Sequence, residues 1–175
     1  MVRTMPKSRK APSENRAAPD VTLRESTETR SPVHVTRDAA DSMCRAASEC
    51  CHQHDRVARI LANSTNDDEL DSAQEACAQS TLSLIQLSKA YETTAAVVRP
   101  DGADEEWWHR ANALWMSSRE YVRRNNCGNA ASREFKHHDR ERLGALHAEY
   151  ELEASSLLAL RQAADAYRQS RPDAF

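Results

Sequence analysis

The chain has 175 residues, 39% of them apolar, 29% charged and 5% aromatic, with a formal net charge of -3, a length that suits one domain. No apolar run approaches the ~20 residues that cross a bilayer, and no apolar stretch follows the basic start as a secretory signal would require; neither a membrane span nor such a signal is expected. Three glycines (Gly102, Gly128, Gly144) fall in no phosphate-cradling pattern, and five cysteines (Cys44, Cys50, Cys51, Cys77, Cys127) show no CxxC spacing, which argues against nucleotide-binding α/β folds, disulfide frameworks and zinc ribbons and points to a reducing cytoplasm.

Four of the six prolines (Pro6, Pro12, Pro19, Pro32) lie among Ser, Thr, Arg and Lys with almost no large apolar side chains. Such a composition buries too little surface to offset the entropy of ordering, so residues 1–35 are expected to form a disordered polar and basic tail. From there to Pro172 the chain is rich in helix-favouring residues. Its break signals are Asn63-Ser-Thr-Asn-Asp67, Pro100-Asp-Gly102 and Asn125-Asn-Cys-Gly-Asn129, and three breaks make four helices.

The first helix is expected over 36–63, with a thin heptad stripe of Ala40, Met43, Ala47, Cys50, His54, Val57 and Leu61. The second, over 67–98, opens on an Asn66-Asp-Asp-Glu69 pattern that resembles a capping box and carries Leu70, Cys77, Leu84, Tyr91 and Val98 at sevenfold spacing. In the third, over 103–126, Asp101, Asp104, Glu105 and Glu106 sit near the positive end of the helix dipole, and Trp108, Ala111, Trp115 and Val122 face inward with Leu114 and Tyr121 beside them. The fourth, over 131–170, runs along Leu143, Leu146, Tyr150, Leu157, Leu160, Ala164 and Tyr167; it would span roughly 58 Å and outreach its neighbours.

Short connections force antiparallel neighbours, so the expected fold is all-α: an antiparallel up-down four-helix bundle over 36–171 with heptad, coiled-coil-like packing and a disordered N-terminal tail. Two long hairpins that complete a core only on dimerising are the alternative. A tetratricopeptide-like array would need a turn about every 17 residues, which the chain does not offer.

Charge is segregated. Asp67 to Glu106 holds ten acids against Lys89 and Arg99, and Arg119 to Arg142 holds seven basic residues against four acids. In an up-down bundle the acids that open helix two lie at the end where helices three and four meet, so the clusters are expected to neutralise one another; likewise Arg161, Arg168 and Arg171 are expected to meet the acids that open helix three. Nucleic-acid binding is therefore not expected, and the basic cluster also lacks interleaved aromatics for base stacking.

Three Glu-x-x-His pairs (Glu49/His52, Glu106/His109, Glu134/His137) suggest a di-iron bundle. The first faces away from the buried stripe and the others lie at opposite ends, so they share no level. Cys50-x-x-x-His54 is a better candidate, because it places a thiol and an imidazole one turn apart on the apolar face. If the hairpin turns near Asn66, Cys77 comes level with His54, and Cys127 returns to that level on helix three. Cys50, His54, Cys77 and Cys127 could then hold zinc or copper; ordinary core packing is the competing reading. No spacing places a general base beside a nucleophile, so nothing argues for an enzyme.

The leading functional expectation is a non-enzymatic helical-bundle interaction protein, an adaptor, chaperone-like or assembly subunit that binds a protein partner or itself. Trp107 and Trp108 lie ~100° apart on a helix, so Trp107 is expected to be exposed as an interaction residue. The alternatives are a metal-binding or metal-sensing bundle that uses the Cys/His set, and a secreted bacterial effector whose polar tail serves as an export signal.

Overall fold

The computed structural model describes residues 31–64, 66–95, 99, 101–134 and 140–175. Four helices follow one another: α1 Pro32–Asn63, α2 Asp67–Ala95, α3 Glu105–Glu134 and α4 Arg140–Ser170, closed by a 3-10 turn over Pro172–Ala174. The all-α antiparallel bundle is thus the fold observed. No described helix is long and apolar enough to cross a membrane.

Several boundaries differ from the expected ones. The expected tail lies outside the described residues except for its last five, and four of these are already helix: α1 begins at Pro32. Proline is well placed there, because the first helical position has no use for its missing N–H and its fixed φ already suits the helix. The Ser31 carbonyl accepts from the amides of His34 (2.8 Å) and Val35 (3.2 Å), and the Thr36 hydroxyl donates to the carbonyls of Pro32 (2.9 Å) and, across to α2, of Thr94 (3.3 Å).

Asn66 caps α2 as expected, its Oδ1 accepting from the amides of Asp68 and Glu69 at 3.2 and 3.4 Å. The reciprocal half of the box is replaced: the Asn66 amide donates to Ser64 Oγ (3.1 Å), and Ser64 Oγ donates to the Glu69 carboxylate (3.4 Å). Asp104 caps α3, its Oδ1 accepting from the Trp107 amide at 2.9 Å, and Gly102 just before it has a φ of 78°, which glycine tolerates best. Val98, expected on the α2 stripe, lies outside the described residues.

The third expected break does not break the chain. α3 runs through Asn125–Asn129 to Glu134, and α4 has 31 residues against 32, 29 and 30 for α1, α2 and α3. The expected overlong fourth helix is therefore corrected to one of ordinary length, about 46 Å. A mid-helix glycine costs only ~1 kcal/mol, and here α4 uses the space. A Cβ on Gly128 would stand 2.7 Å from Glu153 Oε2, and Asn125 Nδ2 donates to Glu153 Oε1 at 2.8 Å. Gly128 is a point of close helix approach.

α1 packs most closely along α2 and α3 along α4, and the two hairpins meet at the α1–α4 and α2–α3 seams. Side-chain contacts fix the levels. Asp41, Trp107 and Tyr167 meet towards one end, while Cys50, Thr81 and Tyr121 meet in the middle. The largest fully buried side chains are Tyr91, Tyr121, Tyr167, Met43, Leu84, Leu114 and Leu160. Leu61, Leu143 and Tyr150, expected inward, are exposed, and Ile60 is buried instead of Leu61.

The arginines choose other partners than expected. Arg161 pairs with Asp55 (2.7 Å) and Arg171 with Asp41 (2.8 Å), both on α1, and Arg168 with Asp165 (3.0 Å) on its own helix. These α4 side chains lie along the α1 seam. Arg119 reaches Glu92 (3.9 Å), while Arg123 and Arg124 converge on Glu120, and Arg124 also approaches Glu149.

Candidate functional site

The candidate metal residues meet a different chemistry. Thr81 stands beside Cys50, its Oγ1 3.6 Å from the sulfur, and donates to the Cys77 carbonyl at 3.0 Å. Tyr121 OH lies 3.5 Å from Thr81 Oγ1 and 2.5 Å from His54 Nε2, with the His54 and Tyr121 rings edge to face at 5.6 Å. Burial lowers the His54 pKa from its ordinary 6.5 and raises that of Tyr121. Both are therefore neutral near pH 7, and the phenol donates to an accepting Nε2.

Burial also pushes the thiols of Cys44, Cys51 and Cys77 up to about 11, which keeps them protonated near neutral pH. Cys127 is half-buried further along α3. Among the described residues, no three or more His, Cys, Asp or Glu side chains are placed to share an ion, so Cys50, His54, Cys77 and Cys127 are not assembled as the four-ligand set the spacing suggested. Thr81 and Tyr121 stand beside Cys50 and His54, which helical spacing alone could not show. The Leu114–Tyr121 heptad step was the one available signal for the phenol.

Trp107 is corrected outright. It is 3% exposed, and its Nε1 donates to Tyr167 OH at 3.0 Å; that hydroxyl donates to Asp41 Oδ1 at 2.6 Å, and Arg171 donates to Asp41 Oδ2 at 2.8 Å. The Arg37 guanidinium covers its ring at 5.3 Å. Trp108 is buried too. Two consecutive residues can both turn inward because a bundle helix buries a wedge at least ~100° wide between its two neighbours.

The open feature lies on the α2–α3 seam. A groove of about 670 Å³ runs between Ile85, Ser88, Lys89 and Glu92 on α2 and Met116, Arg119, Glu120 and Arg123 on α3. Met116 is 60% exposed, and Leu82, two turns before Lys89 on α2, is 51% exposed. The seam is tied by Tyr91 OH donating to Asn112 Oδ1 (3.1 Å) and by the Glu92–Arg119 pair, with Arg119 lying over the Trp115 ring at 4.9 Å. Hydrogen bonds from Arg123 and Arg124 pull the Glu120 carboxyl down to about 2, so the rim carries fixed charges of both signs at neutral pH.

Two polar atoms along this seam are buried without a partner, Ser88 Oγ and Trp115 Nε1. Buried Ser118 and half-buried Ser48 turn their hydroxyls back to the carbonyls of Leu114 and Cys44, the usual resort of a helical serine, whereas Ser88 does not. No heptad pattern points to this groove, since Leu82, Ile85 and Met116 each stand singly off the expected stripes.

No family model matches this chain, and no curated protein or solved structure does either.

Proposed function

We propose that the protein is a non-enzymatic interaction module, an adaptor, chaperone-like or assembly subunit, whose α2–α3 groove holds an apolar helical segment of a protein partner. The groove carries the reading. It joins an exposed Met116 and a half-buried Ile85 within a ring of charge, the arrangement of an apolar centre and polar rim by which a helix is held in a groove. The unpartnered Ser88 and Trp115 atoms support it, because buried polar groups ordinarily find a partner.

Selection from a displayed library of amphipathic helices against dilute protein tests the reading. Enriched helices are expected to bind the native chain and to lose binding to Met116→Glu and Ile85→Glu. Helices that bind both variants as well as the native chain, or no enrichment at all, would overturn it.

A further inference from the structure

Resting on that reading of the groove, we propose that its occupant is a second copy of this chain, the α2–α3 seam being the face of a two-fold dimer. An isologous interface must complement itself, and the charges on this rim do. Each helix brings both signs, Lys89 and Glu92 on α2 and Arg119 and Glu120 on α3. A partner segment of a single sign would meet its like on either helix, which costs affinity and misdirects docking.

The two signs also sit at one level. Glu92 reaches Arg119 at 3.9 Å, so the Lys89–Glu92 and Arg119–Glu120 stretches lie side by side across the seam. A two-fold axis crossing both helices there sets Arg119 of one copy against Glu120 of the other, and Lys89 against Glu92. A two-fold axis running along the seam instead lays α2 of one copy over α3 of the other at unchanged height, which sets Glu92 against Arg119. Both orientations pair base with acid and bring the exposed Met116 side chain, one turn from Arg119, close to the middle of the contact, where desolvated apolar anchors count most.

Sedimentation equilibrium and native mass spectrometry on the full chain test this. The native protein is expected to show twice its 19.7 kDa chain mass with a concentration-dependent dissociation. Met116→Glu and Arg119→Glu each weaken association at least about tenfold, and Leu158→Glu, on the exposed surface of α4, leaves it unchanged. Adding Glu120→Arg to Arg119→Glu restores the dimer if the axis crosses the helices, and adding Glu92→Arg restores it if the axis runs along the seam. Because all the substituted side chains are half-exposed or exposed, helicity by circular dichroism is expected to stay at the native level.

A single-chain mass at every concentration overturns the proposal, and so does a dimer that the groove variants leave intact. In either case, library helices that still bind through Met116 keep the interaction reading, whereas their absence retires both.

Discussion

Tyr167→Phe deletes one oxygen from the middle of a buried chain of hydrogen bonds. Its hydroxyl accepts from Trp107 Nε1 at 3.0 Å and donates to Asp41 Oδ1 at 2.6 Å; Tyr167 is fully buried, and the Asp41 side chain is 9% exposed. The substitution removes a hydrogen bond to a carboxylate, worth ~1.5–3 kcal/mol, and strands a buried indole N–H, which costs ~1–3 kcal/mol. Asp41 keeps Arg171, so the carboxylate is not left alone and the lower part of each range applies. A loss of about 3 kcal/mol is expected, which for a domain of this size is a fall in Tm of about 9 °C. Thermal and denaturant unfolding followed by circular dichroism measure it. Asp41→Asn, alone and combined with Tyr167→Phe, completes a cycle in which the expected coupling is about 1–2 kcal/mol. A fall below about 3 °C, or additive effects, would refute the reasoning, since either means the three side chains do not act as one unit.

The His54–Tyr121 pair makes stability pH-dependent. With the folded pKa below the ordinary 6.5, its contribution is complete above that value and is lost as pH falls through the folded pKa; unfolding midpoints should drop on acidification below about pH 6.5, and His54→Gln should flatten that slope. The two helical glycines should respond oppositely to alanine. A Cβ at Gly144 meets nothing within 4 Å, so Gly144→Ala should stabilise by ~0.8 kcal/mol. Gly128→Ala should forfeit that gain, because its Cβ would press on Glu153 Oε2 at 2.7 Å, and recover it in a Glu153→Ala background. In a thiol titration of the native chain, Cys127 should react first and Cys77 slowly, its thiol held near 11. The buried Cys44, Cys50 and Cys51 should report only after unfolding; early modification of any of these three would contradict the packing.

The helix count, the all-α class, the turns around Asn63–Asp67 and Pro100–Gly102, and the Asn66 cap follow from local chemistry: periodicity, propensity and capping act over one or two turns, and the sequence displays them directly. So do the inward positions of Met43, Cys50, Leu84, Tyr91, Leu160 and Tyr167. How far each helix is rotated about its axis, and which neighbour it meets, depends on contacts between residues as far apart as Asp41 and Tyr167, and no local pattern encodes that. Hence Gly128 is a packing notch because α4 supplies Glu153 and Tyr150, and Trp107 turns inward because Tyr167 and Arg37 receive it. Hence also Tyr121 occupies the place where the cysteine and histidine spacing suggested an ion. The groove belongs to the same class of decision: Ile85 and Met116 are unremarkable alone, and only the docking of one hairpin against the other sets them side by side along an open seam.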